Sequence, residues 1–289
     1  MDRRQIVSIL DVDSELGEAM EPKSRALAQR HALARLERLD RGRWRADDAV
    51  GRHGLGLLVV DGLLLREVSL AGRHTAELLG PGDLFRPSDE DAELDAVPVR
   101  TGWLVCEPAR VAILDQRFTA IVGRWPELVD ALFTRAARRS RRLGVQLAIT
   151  RVTRVDERLL IVLWHLAERW GRVRADGVHL PLSVTHDTLA RLVGARRPSV
   201  TTGLGRLARL GMVERVRGGW VLHGDPQDHL ARMEAERGPD ADEEDDHPSD
   251  AEDRSRPRLS GLGVGPARSR PGGAIPQTSG CQRPDVRSP

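Results

Sequence analysis

Between Thr185 and Val216 the sequence THDTLARLVGARRPSVTTGLGRLARLGMVERV carries small hydroxylated and cationic side chains at helical spacing. At the α-helical period Val200, Leu204 and Leu207 share one face and are expected to pack on Leu189, Leu192 and Val193. The opposite face carries Thr202, Arg206 and Arg209, with Ser199 at its margin. Short hydroxyls and guanidiniums on a narrow helix face suit hydrogen bonding to base edges in a major groove. An arginine there offers two parallel N–H donors to guanine or phosphate. The chemistry on offer is recognition of a polyanion. The other pair that invites attention, His165 and Glu168, has no evident partner, metal-ligand spacing or phosphate loop in the sequence, so no enzyme is expected.

The elements that must position this face are legible around it. Thr185 is a good N-cap, supported by Asp187, for a helix ending at Val193. Gly194-Ala195-Arg196 then forms a tight turn, with Gly194 able to take a positive φ. Pro198 suits the first turn of the next helix, Arg197 to Leu210, and Gly211 ends it. MVERVRGGWVL reads as two short strands around Gly218-Gly219, whose Arg215 and Arg217 lie within reach of phosphate. Upstream, Val155 to Trp170 is an amphipathic helix with Leu159, Leu160, Leu163, Leu166 and Ala167 inward; it stops at Gly171, and a polar connection leads on to Leu180–Leu182. Helix, helix, turn, helix, hairpin is the order of a winged helix-turn-helix.

Before it, Asp115 caps a short helix through Gly123, and Pro126 opens a longer one of about 24 residues, some 36 Å at the standard rise. Its apolar positions Trp125, Val129, Leu132, Ala136, Leu143 and Leu147 recur at three-to-four spacing, among Arg135, Arg138, Arg139, Arg141 and Arg142. That stripe fits a dimer stalk or a helix packed inside its own subunit. Residues 22–39 read as an amphipathic helix with Leu27, His31, Ala34 and Leu36 near one face. Between these helices, GLGLLVVDG, LLLREVSLAG, TAELLGPGD, TGWLVCEP and ARVAILD are short apolar runs broken by turn residues, the pattern of an antiparallel sandwich or roll.

The chain of 289 residues, 40% hydrophobic but only 3% aromatic, must fill its core with Leu, Val and Ala. All but one of its 45 basic residues are arginine, so arginine number alone carries little meaning. Their distribution carries more: residues 1–117 hold 17 basic against 21 acidic, 118–150 hold 6 against 2, and 151–235 hold 14 against 9. The basic excess coincides with the helix-turn-helix, as a polyanion partner requires. From 237 onward a run with nine carboxylates and no base, GPDADEEDDHPSDAED, precedes an Arg-, Pro-, Gly- and Ser-rich stretch, a composition expected to stay disordered. Cys106 and Cys281 suggest no disulfide framework. The acidic N-terminus is unlike a signal peptide, and the longest apolar runs, Leu57–Val60 and Leu63–Leu65, are too short to span a bilayer. A cytoplasmic protein without membrane contact is expected.

The pattern TxxxLAxLVGxxRxSVTxxLxxLxxxGMV, together with GPGDLF at 80–85, ARVAILDQRF at 109–118 and WPELVDAL at 125–132, resembles the Crp–Fnr family of regulators over about residues 50–223. The resemblance implies a β-roll sensor, a long dimerisation helix and a C-terminal winged helix-turn-helix. Its three base-reading positions are occupied here by Arg197, Pro198 and Thr202, so the operator should differ from that of the catabolite activator. Nucleotide-binding members follow the Gly-Asp turn with a Gly-Glu pair and an Arg-Ser or Arg-Thr. Here Gly82-Asp83 leads instead to Leu84-Phe85-Arg86-Pro87-Ser88 and then DEDAELD, whose five carboxylates would repel a phosphate. No cofactor is expected: a cyclic nucleotide is disfavoured and the thiolates of an iron–sulfur cluster are missing. Haem stays open through His31, His53 and His74.

The expected fold class is therefore α+β: an N-terminal β-roll (double-stranded β-helix or jelly roll), a long dimerisation helix and a C-terminal winged helix-turn-helix. The expected boundaries are 1–117 for the N-terminal helix and roll, 118–150 for the dimerisation helix, 151–236 for the DNA-binding domain and 237–289 for the tail. The expected function is sequence-specific binding of double-stranded DNA by a homodimer on a roughly palindromic site, with RNA polymerase as a further partner. Arg197, Ser199, Thr201 and Thr202 are assigned to bases and His186, Arg196, Arg206, Arg209 and Arg217 to the DNA backbone. Trp125, Val129, Leu132, Ala136, Leu143 and Leu147 are assigned to the dimer interface. The alternative is a ligand-independent regulator or scaffold whose roll is a protein-interaction module.

Overall fold

Two 15-residue strands carry the N-terminal half: β4 (Gly56–Leu70) and β7 (Arg100–Leu114) pair antiparallel from Gly56↔Leu114 to Ser69↔Arg100. The structure, a computed structural model, describes residues 5–45, 50, 53–87 and 99–235. The DEDAELD run, Ser88 and the 237–289 tail lie outside the described residues. The β4–β7 ribbon changes register between Val59 and Leu64, where Gly62 sits at φ +85. A Cβ there would come within 2.4 Å of the Ala109 Cα, so the two strands cross more closely than any side chain permits. On either side lie β1 (Gln5–Ser8), β2 (Leu33–Leu39), β3 (Gly42–Trp44), β5 (Arg73–Leu79) and β6 (Leu84–Phe85), in the order β1-β2-β7-β4-β5 with β3 on β7 and β6 on β4.

Alternation along these strands separates two cores. One face gathers Leu39, Leu57, Val59, Leu64, Phe85, Trp103, Val111 and Ile113, including an edge-on Trp44–Trp103 pair with ring centroids 5.8 Å apart. The other face, with Ala34, Leu36, Leu58, Ala112 and Leu114, is covered by helices: α1 (Ile9–Val12), α2 (Pro22–His31), α3 (Gln116–Val122) and the first turns of α4 (Pro126–Arg151). The helix expected over 22–39 is thus corrected. It ends at His31, and LARLERL is β2, paired with Ala109–Ile113 of β7, with Ala34, Leu36 and Leu39 buried and Leu27 exposed. The Asp115 cap is present: its side chain accepts from the Phe118 N–H at 3.0 Å.

Helix α4 has two faces of different character. Leu128, Leu132 and Ile149 are buried, in line with Arg135, Arg139 and Arg142, which meet Asp13 and Glu15, Glu77, and Asp83 respectively. The opposite side exposes Val129, Phe133, Ala136, Ser140, Leu143 and Leu147, alternately four and three residues apart. Trp125 and Leu132, two of the six residues expected at a dimer interface, instead belong to the subunit's own core, at 8% and 2% exposure; Phe133, at 71%, stands where the stripe needs an apolar residue.

The C-terminal half comprises α5 (Val155–Trp170), β8 (Arg172–Arg174), β9 (Gly177–Leu180), α6 (His186–Val193), α7 (Arg197–Arg209), β10 (Val213–Val216), β11 (Gly219–Leu222) and α8 (Pro226–Ala235). Its core continues onto the outer face of β4 and β5 through Leu63, Leu65, Ala76 and Leu78. The connection expected to be polar after Gly171 is the β8–β9 hairpin, which extends the β10–β11 pair into a four-stranded sheet. Gly171 ends α5 with extended backbone, not a positive φ, and is required because a Cβ would come within 2.3 Å of the Ala167 carbonyl oxygen. No helix among the described residues is long and apolar enough to cross a membrane.

Candidate nucleic-acid interface

Helix α6 begins at Thr185, whose Oγ1 accepts from the Thr188 N–H at 3.1 Å, and ends at Gly194 in the left-handed region, φ +61 and ψ +40. Its last carbonyls are satisfied from neighbouring helices: Arg158 donates to Val193 O at 2.7 Å and the Gln146 amide to Leu192 O. The end of α6 is thereby tied to α4 and α5, and α7 starts three residues after Gly194. Val200, Leu204 and Leu207 are buried with Leu189, Leu192 and Val193, as their spacing requires. Gly203 lets α7 close on α5: a Cβ there would lie 2.9 Å from Leu159 Cδ1.

The assigned residues divide by what they already touch. Arg196, Arg197, Ser199, Thr202 and Arg209 are exposed on α7 or just before it, and Arg217 is exposed in the turn of the β10–β11 hairpin beside Gly218. Among the described residues none of these four arginines pairs with a carboxylate; Arg209 bonds only its own helix, to Gly205 O at 3.3 Å. Thr201 is different. Its hydroxyl donates to Arg197 O at 3.1 Å and lies 3.0 Å from His186 Nδ1, so the ring nitrogen is the donor in that pair. Thr201 and His186 thereby join the start of α6 to the recognition helix.

Arg206 also turns inward, with its guanidinium 3.3 Å from Asp156, a carboxylate that takes both arms of Arg154 as well. Arg215 bonds Val184 O at 3.1 Å and stacks 4.4 Å from the Trp220 ring centroid. Sequence spacing has no means of telling these arginines from Arg197, since the partners lie far along the chain. The face left free for a polyanion is the start and outer side of α7 together with the hairpin tip.

The remaining candidates do not assemble. His31, His53 and His74 are exposed on three separate segments, and no group of three potential ligands that could hold a metal occurs among the described residues. His165 and Glu168 lie 3.4 Å apart on one turn of their helix. The half-buried Cys106 thiol is pushed up to about 11 by burial and then by Glu107, which suppresses the reactive thiolate.

A model of the Crp-like helix-turn-helix domain matches residues 157–228. Over 156 residues, 54% of this chain and 67% of the relative, the sequence is 30% identical to a CRP-like cAMP-activated global transcriptional regulator of Mycobacterium tuberculosis, in strain CDC 1551 / Oshkosh and equally in strain ATCC 25618 / H37Rv. The chain belongs to the Crp–Fnr family. It is a transcriptional regulator of that type with a helix-turn-helix DNA-binding domain.

The Crp–Fnr fold extends through the roll. A CooA mutant from Carboxydothermus hydrogenoformans matches with a TM-score of 0.55 at 19% identity, over 69% of this chain and 87% of that one. A cyclic nucleotide-binding domain containing protein from Listeria monocytogenes EGD-e matches with a TM-score of 0.55 at 17% identity, over 73% and 96%. FixK2 from Bradyrhizobium japonicum matches at 0.52 and 16% identity, over 68% and 96%.

The residues of this Crp–Fnr roll do not fit a cyclic nucleotide at the described part of its Gly-Asp turn. Asp83, Leu84 and Phe85 are buried there, the Asp83 carboxylate is covered by guanidiniums of the subunit, and the Arg86 guanidinium donates to Gly54 O.

Proposed function

We propose that this regulator binds DNA as a homodimer, through α4, on a roughly palindromic site with half-sites about one helical turn, roughly 34 Å, apart. The observation that carries the reading is the exposed stripe Val129, Phe133, Ala136, Ser140, Leu143 and Leu147, a heptad-like seam on a helix whose other face is already used. The seam revises the expected interface to Val129, Ala136, Leu143 and Leu147 with Phe133 added. Residues 1–117 then act as the roll, 118–150 as the dimer helix and 151–236 as the DNA-binding domain of a cytoplasmic protein that also meets RNA polymerase.

Within each half-site Arg197 reads a base through two parallel donors, a contact worth about 1–3 kcal/mol of discrimination. Ser199 and Thr202 line the same face, while Arg196, Arg209 and Arg217 meet phosphate and fix register. Thr201 and His186 hold the recognition helix in place and Arg206 braces it from behind.

The Asp83 carboxylate of the Gly-Asp turn is held by Arg142 and Arg169 of the chain itself, and this supports a constitutive regulator over a nucleotide-gated one. Sedimentation equilibrium of wild type and Phe133→Arg tests the dimer: the wild type runs at twice the chain mass and the variant as a monomer, with the far-ultraviolet circular dichroism spectrum unchanged. Selection of bound fragments from random DNA then yields inverted half-sites. Single, unrepeated half-sites from a wild-type monomer would refute the proposal.

A further inference from the structure

The turn Gly80-Pro81-Gly82-Asp83 joins β5 to β6 and is pinned to β4. Gly82 N–H donates to Val59 O at 2.9 Å, and Val59 N–H donates to Asp83 O at 2.9 Å. Within the turn Asp83 N–H reaches Gly80 O at 3.0 Å, and Gly80 N–H donates to Asp83 Oδ2 at 2.8 Å. The carboxylate leaves the roll, yet its side chain is only 2% exposed, because guanidiniums from two other elements cover it. Arg142 of α4 donates to Oδ1, and Arg169 of α5 to Oδ2 at 2.6 Å. The second arm of Arg169 donates to the carbonyls of Pro81 at 2.8 Å and Gly80 at 3.3 Å. Its plane stacks 4.3 Å from the centroid of the Trp170 ring, and that ring in turn lies where a Cβ on Gly80 would come within 2.8 Å.

One buried carboxylate therefore ties the roll, the long helix and the first helix of the DNA-binding half. The rest of this junction is mainly the apolar surface of Leu63, Leu65, Ala76 and Leu78, with Glu77 to Arg139 between the roll and the long helix, Glu67 to Arg191 at the far end of α6, and the Gln146 amide on Leu192 O between α4 and α6. Apolar contact is non-directional and permits one surface to turn or slide on another. Charge-assisted hydrogen bonds between planar groups do not, since their geometry fixes an angle as well as a distance. The chain linking α4 to α5, residues 152–154, is short, so the contacts beyond it decide how the two halves meet. Orientation is thus left to the directional bonds.

We infer that Asp83 is a positioning residue for DNA binding: by holding Arg142 and Arg169 together it sets the angle of the DNA-binding half against α4, and so the separation of the two recognition helices. The inference rests on the homodimer reading above. It assigns to the Gly-Asp turn an internal guanidinium as its permanent occupant. The consequence is a preset geometry, with discrimination between operators that differ only in half-site spacing.

Arg169→Met is the test variant, because Asp83 keeps Arg142 and the Gly80 N–H and the roll remains folded. On an operator selected by the wild type, inserting or deleting one base pair between half-sites lowers wild-type affinity roughly tenfold, since it rotates one half-site about the helix axis. Arg169→Met narrows that ratio to below about threefold while lowering affinity for the optimum, and Asp83→Asn follows it. Hydrogen exchange in the free protein speeds at residues 80–83 and 169–171 in both variants. An unchanged spacing profile, an equal loss at every spacing or a gain at every spacing overturns the inference. If the wild type sediments as a monomer, the dimer reading fails on its own. Exchange then decides: faster exchange at both segments retains the orienting role of the carboxylate, and unchanged exchange removes it.

Discussion

Along the inner face of α4, Arg135, Arg139 and Arg142 each meet a carboxylate brought from the roll, and Arg139 does so with two bonds to Glu77 at 2.8 and 2.9 Å. Around the start of α7 and at the hairpin tip, Arg196, Arg197 and Arg217 are exposed and meet no carboxylate among the described residues. The same side chain serves two purposes, and its neighbours decide which. A guanidinium whose donors are occupied by a buried carboxylate is part of the fold. One left hydrated on a narrow polar face retains its charge for a polyanion. In a chain whose basic residues are almost all arginine, the position of the acids marks the DNA-facing surface better than the position of the bases.

The contrast breaks most readily at Arg139. Its side chain and that of Glu77 are 15% and 13% exposed, so Arg139→Ala strands a mostly buried carboxylate and should lower unfolding stability by about 3–5 kcal/mol in urea titrations. A loss below about 1 kcal/mol, the range of a surface pair, would place Arg139 with the exposed arginines and end the distinction. Next comes Arg197→Ala, for which stability stays within about 0.5 kcal/mol while preference for the matched site over a scrambled one falls by about 1–3 kcal/mol, read from competition binding. A smaller change follows at Arg217→Ala: affinity drops alike on matched and scrambled DNA, and the slope of log K against log salt becomes shallower by about one, as expected when a single phosphate is no longer neutralised.

The smallest effect concerns a buried imidazole. His229 on α8 is 7% exposed, its Nδ1 has no hydrogen-bond partner among the described residues, and burial, followed by Arg232, holds its pKa below the ordinary histidine value despite Asp225 and Asp228. The folded state thus binds the proton less readily than the unfolded chain. The stability this group supports is present above the unfolded value of about 6.5 and declines as pH falls from there through the folded value. Thermal melts between about pH 7.5 and 5.5, the span around that unfolded value, should show a loss in wild type that is reduced in His229→Gln, and parallel curves would remove the argument.

The helix-turn-helix is legible in the sequence because its signals are local. Thr185, Gly194, Pro198 and Gly211 punctuate adjacent elements, and Val200, Leu204 and Leu207 find partners within about twenty residues. LARLERL misleads because its short alternation overlaps a helical spacing, and the decisive partner, Ala109–Ile113, lies seventy or more residues away. The hairpin at 172–180 carries an Asp-Gly pair that is available as a turn signal. On α4 the apolar positions are evident, but the spacing places the seam at a rotated angle: Trp125 and Leu132 pack inward and Phe133 outward. Two apolar faces on one helix are indistinguishable by hydrophobicity. The arginines in line with Leu132 hold the answer, but only with Asp13, Glu77 and Asp83 opposite them.

Gly203 has a consequence of its own. Because α7 rests against α5 where a side chain is missing, the depth at which the recognition helix protrudes is set from behind, by a buried residue. An added methyl would have to displace Leu159 or lift the helix by a few tenths of an ångström. Drift at this hidden position offers a lineage a way to retune which promoters it controls while every base-facing side chain stays the same.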